Sequence, residues 1–138
     1  MSGPLEGIRV LDIATILAAP LAGTLMADFG ADVVKAELPG TGDGLRNFPP
    51  FKDGKSVWWK AANRNKRFMT LDLRKPEGVE LFLKMLPQFD VLLENFRTGT
   101  LAKWGLDKET LWKANPNLII LRATAFGQTG PYATQPGF

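Results

Sequence analysis

Cysteine and histidine are both absent from the 138 residues. Without cysteine there is no disulfide framework and no thiolate to act as nucleophile or ligand. Without histidine, a Ser-His-Asp triad and a histidine-based metal site are excluded within the chain, and no metal site is expected. Any chemistry here falls to carboxylates, Lys, Tyr or backbone amides. Long apolar runs are also lacking. The longest weakly polar stretch, Ile13 to Ala27, is interrupted by Pro20 and bounded by Asp12 and Asp28. At about 15 residues it falls short of the roughly 20 that span a bilayer, so no membrane partner is expected. Met1 to Gly7 supplies neither a basic start nor a small-residue cleavage site, and the chain reads as cytoplasmic. Charge of one sign is not in excess: 17 Lys+Arg against 14 Asp+Glu leave +3, too little to mark a nucleic-acid binder. A hydrophobic share of 45% is ordinary for a globular domain, and the length suits one domain or a piece of a larger one.

What is present is an alternation of apolar runs and helical patterns. Ile8 to Ile13 reads as a buried strand. Pro20, suited to a first helical turn, opens a helix that runs to about Phe29, with Gly30 as its cap. Asp32 to Glu37 reads as a second strand, which completes a β-α-β unit. Leu38 to Lys55 is rich in Gly, Pro and Asp and is expected to be one long loop, a common place for function. Val57 to Ala62 suits a short helix, and Arg67 to Leu73 a third strand. From Pro76 the spacing of Val79, Phe82, Leu83 and Leu86 puts one apolar face on a helix that Pro87 ends. Glu80 and Lys84 are placed to pair on its other side. Asp90 to Glu94 is a fourth strand. A short helix follows to Trp104, and Asp107 is an N-cap for a helix over Lys108 to Ala114. Leu118 to Ala125 is a fifth strand. The residues from Gly127 onward carry no helix or strand pattern, and the α/β unit looks interrupted rather than completed. The class is α/β, a Rossmann-like, mostly parallel sheet with flanking helices.

In such sheets ligands bind beyond the carboxyl ends of the strands. After the first strand, the small residues Ala18, Ala19, Ala22 and Gly23 either let a ligand reach the backbone amides of a helix start or simply let helix and sheet pack closely. There is no GxGxxG, which disfavours a nicotinamide dinucleotide. Arg74 and Lys75 follow the third strand, and Arg97 and Lys103 the fourth. They form either a phosphate-binding edge or a solvated basic rim. Phe96 either lies against a flat ring or belongs to the core. Asn63 to Arg67, with Trp58 and Trp59 upstream, is a weak basic-aromatic cluster, and no nucleic-acid partner is expected. After the fifth strand, Gly127 and Gly130 permit close backbone approach to a ligand or make a simple turn.

Taken in order, these segments resemble the class III CoA-transferases, the family of formyl-CoA transferase and the carnitine CoA-transferases. The matching pieces are Pro4 to Asp12, Phe29 to Glu37, Asn65-Lys66-Arg67, Leu71-Asp72-Leu73, Pro76-Glu77-Gly78, Glu94-Asn95-Phe96-Arg97 and Phe126 to Pro131. The resemblance implies an enzyme that moves CoA from an acyl-CoA to a carboxylic acid, with CoA as substrate and no tightly bound cofactor. An Asp carboxylate attacks the thioester, forming an acyl anhydride and then an enzyme thioester. It also implies that residues 1–138 are the N-terminal portion of the large CoA-binding domain of an interlocked homodimer. That portion stops before the catalytic Asp, expected immediately after Phe138, and before the small domain. No catalytic residue is therefore expected in this chain, and by itself it is expected to be inactive.

The same resemblance assigns CoA contacts to Ile16, Leu17 and Ala18, to Leu71, Asp72, Leu73 and Arg74, to Asn95, Phe96 and Arg97, and to Lys103. Gly127, Gln128 and Gly130 fall in the active-site loop. Leu17 stands where some members have Gln, and Leu38 where some have Arg, which implies an acceptor other than formate or oxalate. The related α-methylacyl-CoA racemases share most of these motifs but place a His before the Asp, where this chain has Phe138. A racemase-like enzyme and a non-catalytic CoA-binding module are the alternatives.

Overall fold

A computed structural model describes residues 3–137. Five parallel strands form one sheet: β1 (Arg9–Asp12), β2 (Asp32–Glu37), β5 (Arg67–Thr70), β6 (Val91–Glu94) and β7 (Ile119–Arg122). Their order across the sheet is β5-β2-β1-β6-β7. Two further strands, β3 (Phe51–Lys52) and β4 (Lys55–Ser56), make a small separate hairpin. The expected mostly parallel α/β sheet is the observed fold.

Alternation along the strands sorts the core into two layers. Val10, Val33, Val91 and Leu93 face helix α1 (Ala18–Asp28), which presents Ala27 to them. Leu11, Ile13, Val34 and Leu92 face the opposite side. There they meet Phe82 of α3 (Pro76–Met85), Leu101 of α4 (Thr100–Lys103) and Leu111 of α5 (Lys108–Ala114). The apolar face expected on α3 is real: Phe82 and Leu86 are fully buried, and Val79 and Leu83 pack against the same cluster. Glu80 and Lys84 pair at 2.6 Å on the solvent side. Helix α1 does not reach the outer strand β7, so Ile119 stays 64% exposed and Leu121 is also exposed.

The differences from the sequence reading have local causes. Helix α1 starts at Ala18, so Pro20 is its third residue; an amide missing there removes no helical bond. Strands β1 and β5 end earlier than expected because Asp12 and Asp72 turn their carboxylates onto following backbone amides, Ala14 and Arg74. The segment 38–55 is not one loop. It holds a 3-10 turn over Gly44–Asn47, capped by Asp43, and the β3–β4 hairpin. The hairpin turns at Asp53-Gly54, both at positive φ, and Asp-Gly is the residue pair that such two-residue turns favour. Ser56 caps the helix that follows, α2 (Val57–Ala62).

Candidate functional site

Chain order runs outward from β1 to β2 and β5, then returns to the other side for β6 and β7. Such a reversal opens a crevice at the carboxyl ends of the central strands. A cleft of about 200 Å³ lies at that edge. Ile13, Ala14 and Thr15 reach it from β1, Ala36 to Leu38 from β2, Leu71 to Arg74 from β5 and Phe96 from β6. Phe96 meets Trp104 edge to face at 5.1 Å, so it both lines the cleft and packs on the core.

Ile16 and Leu17, the residues just before α1, line none of the three cavities that follow; the other expected contact residues fall into three groups. Leu71, Asp72, Leu73, Arg74 and Phe96 line the cleft itself. Ala18, Asn95 and Arg97 line a neighbouring cavity with Ala123 to Ala125, and the tail returns there: a β-carbon on Gly137 would run into the side chain of Ala125. Lys103 lies in a groove with Arg74, Lys75 and Trp104, a groove that Arg97 does not line. The four basic residues thus follow strand ends as expected, but only Arg74, Lys75 and Lys103 share a groove, and Arg97 stands apart from them. Arg74 is held by Asp72 at 2.8 and 2.9 Å, and this guanidinium draws the Asp72 carboxyl down to about 2. Lys75, Arg97 and Lys103 have no carboxylate partner among the described residues.

Two expected residues are engaged within the chain, Asn95 with backbone and Gln128 with side chains. Asn95 accepts from the Thr15 amide and donates to the Thr15 carbonyl, both at 2.8 Å, which ties β6 to the loop after β1. Gln128 touches Arg122 and Thr124 at 3.5 Å, and Gly127 and Gly130 turn the loop at positive φ. Arg122 in turn sits 3.3 Å from Glu94, a buried carboxylate that also accepts from the Phe96 amide. Burial pushes the Glu94 carboxyl up, against the pull of that amide and of Arg122.

Beneath the loop after β1 lies a charge cluster that the sequence reading did not assemble. Asp12, Lys35, Asp43 and Lys66 are all buried, and the two acids balance the two ammonium groups. Register sets Asp12 beside Lys35 on adjacent strands. Lys66 donates to Asp12 at 2.8 Å, to the Pro20 carbonyl at 2.6 Å and to Asn63 at 3.0 Å. Burial pulls the Lys66 ammonium down from its ordinary value, and Asp12 opposes that pull. Lys35 pairs with Asp43 at 2.9 Å and donates to the Ala14 carbonyl at 2.7 Å. Asp43 also accepts the Leu45 amide at 2.9 Å and the Ile16 amide at 2.9 and 3.1 Å. Ile16 has a φ of 63°, a conformation that a β-branched residue rarely adopts and that costs about 1–3 kcal/mol. A signal was present in the sequence: a strand buried on both faces does not carry a lone Lys, so Lys35 required an acid nearby.

The weak basic-aromatic cluster is consumed internally. Asn63 and Lys66 are buried, Arg64 pairs with Asp28, and Arg67 with Asp32. Trp59 packs on Phe68 and carries the Arg46 guanidinium 3.6 Å above its ring. No set of three or more candidate metal ligands occurs among the described residues. No helix among them is long and apolar enough to cross a membrane.

Parallel strands on both sides of a reversal, with a cleft at their carboxyl ends, define an open α/β domain of the doubly wound kind. The chain belongs to CoA-transferase family III, whose profile matches residues 5–138. It is 54% identical over 136 residues to the succinyl-CoA–L-malate CoA-transferase beta subunit of Chloroflexus aurantiacus, a match that covers 98% of this chain and 34% of that protein. It is 47% identical to the succinate–glutarate CoA-transferase of Agrobacterium fabrum, over 98% of this chain and 36% of that one. Among solved structures, a CAIB/BAIF family protein from Brucella suis superposes with a TM-score of 0.92 at 43% identity, over all of this chain and 38% of that one. The chain therefore spans about a third of the length of the relatives it matches.

Proposed function

We propose that the whole protein transfers CoA from an acyl-CoA donor to a carboxylic acid, and that residues 1–138 are the N-terminal portion of its large domain and carry much of the CoA site. The observation that carries this reading is the cleft itself, which joins four strand ends of a family III chain at the edge where ligands bind. Leu71 to Leu73 and Phe96 form its largely apolar floor, suited to an adenine ring. Arg97 and Lys103, in the cavity and the groove beside the cleft and with no acid of their own among the described residues, meet the phosphates on this reading.

The chemistry follows the family's carboxylate route. An Asp after Phe138 attacks the thioester carbonyl, the CoA thiolate leaves, and an acyl-aspartyl anhydride forms. The thiolate then attacks the aspartyl carbonyl, releasing the first acid and leaving an enzyme thioester. The acceptor carboxylate displaces CoA to form a second anhydride, which CoA opens to give the new acyl-CoA and free Asp. Gly137 lies against Ala125 beside Ala18 and Asn95, so the tail returns to the cavity that neighbours the cleft. Phe138 lies outside the described residues. The glycine loop at Gly127 and Gly130 offers backbone amides for the developing oxyanion. Residues 1–138 alone hold CoA without forming an acyl-enzyme, which hydroxylamine trapping would reveal. Because several relatives are named for succinyl-CoA and for malate, citramalate or glutarate, we take succinyl-CoA as the donor and a dicarboxylate as the acceptor. The working unit is a homodimer.

Calorimetric titration with CoA tests the site. Wild type is expected to bind, and to bind more weakly as salt screens the phosphate contacts. The Arg97→Ala, Lys103→Ala double variant is expected to lose roughly tenfold or more in affinity. Equal affinity in the two proteins overturns the assignment.

A further inference from the structure

We infer that Asp43 is a positioning residue of the CoA site: its buried carboxylate holds Ile16 in a left-handed conformation and thereby sets the start of α1. The inference rests on the CoA reading above and adds a residue that this reading does not assign. Three observations converge on it. First, Ile16 is at φ 63°, against the steric preference of its own branched side chain, so something outside the residue must hold it there. Second, what holds it is visible. Both carboxylate oxygens of Asp43 accept from the Ile16 amide, while Asn95 fixes Thr15, the residue before. Third, Asp43 is itself immobilised. Lys35 pairs with it, its own amide donates to Glu37 at 2.9 Å, and Glu37 is gripped by Arg46. The chain emerging from Ile16 enters α1 directly. That helix has no side-chain cap and no acidic residue in its first turn, and its first residue, Ala18, lines the cavity beside the cleft. Asp43 stands in the wall of the cleft, but its carboxylate is buried and both oxygens are taken up by Lys35, Ile16 and Leu45, which is why it positions rather than binds.

The chemistry of the clamp selects the test. In Asp43→Asn one oxygen becomes an NH2 group, which must face either the Ile16 amide or the Lys35 ammonium, donor against donor. Asp43→Glu keeps the charge opposite Lys35 but is too long to fork onto Ile16, so it preserves the buried charge balance if the Asn variant does not fold. Either change is expected to weaken CoA binding by roughly ten- to hundredfold. Each is also expected to shift the three-bond HN–Hα coupling of Ile16 away from its left-handed value. Adding Ile16→Gly should recover a large part of the lost affinity, because glycine takes a positive φ without steric cost. A merely structural role for Asp43 predicts no such rescue. If CoA binds wild type and both Asp43 variants alike, or if Ile16→Gly rescues neither, this inference is overturned while the CoA reading stands. If wild type itself does not bind CoA, the CoA reading falls, and this inference with it.

Discussion

Glu94 shows how one buried acid ties stability to pH. Its carboxyl titrates above the ordinary 4.5 because burial penalises the charge more than Arg122 and the Phe96 amide favour it. The folded state then binds the proton more tightly than the unfolded chain does. Its contribution is therefore most favourable below 4.5 and declines as pH rises through the raised folded value. Glu94→Gln mimics the protonated acid at every pH. Thermal melts from pH 4 to 7 should show wild type losing ground to Glu94→Gln as pH rises; a constant difference would remove Glu94 as the cause. The same residue shows what the sequence could tell. Glu94, Asn95, Phe96 and Arg97 were legible as a motif that ends a strand. Their division of labour was not: Asn95 goes to Thr15, Phe96 to the cleft and Arg97 to a neighbouring cavity. That division depends on which strands become neighbours, and local patterns do not state it. Asp43 was hidden for the same reason, inside a segment read as one loop.

Elements were more legible than sites, because each carries its own periodicity and punctuation. The strand Asp32–Glu37 and the helix Lys108–Ala114 match their expected limits, the latter because Asp107 caps it. The β3–β4 hairpin was passed over although Asp53-Gly54 announces it, since strands of two residues show no alternation to read. Helix α3 adds a constraint that no periodicity reveals. Gly78 lies so close to the end of β5 that a β-carbon there would run into the Asp72 carbonyl oxygen. Alanine is the better helix former by about 1 kcal/mol, yet the obstacle is backbone and cannot swing aside. Gly78→Ala is therefore expected to destabilise the chain by about 1–3 kcal/mol in urea unfolding. It should also disturb Leu71 to Arg74, which line the cleft, and so weaken CoA binding in the same preparation.

For the whole molecule, the choice between transferase and racemase turns on proton chemistry. Racemisation beside a thioester needs acid–base groups on both faces of the α-carbon, and a His serves well because it titrates near neutrality. This chain contains no His, and on the proposed reading the Phe before the nucleophilic Asp shields an anhydride from water but exchanges no proton. The full-length protein in heavy water, given a chiral 2-methylacyl-CoA and no acceptor acid, is expected to leave the α-carbon undeuterated. Deuterium entering there at a catalytic rate, with no CoA passed to any added acid, would establish racemase chemistry instead. The buried quartet of Asp12, Lys35, Asp43 and Lys66 bears on the molecule as a whole in another way. Its members come from β1, β2, the segment after β2 and the segment before β5, so no one of these can swing open without stranding a charge in the interior. Fluctuations confined to a single loop are thereby suppressed. The amide protons of Ile16 and Leu45, both bound to Asp43, should exchange with solvent deuterium only when the domain unfolds as a unit, at the slow rate of the central strands although neither lies in a strand.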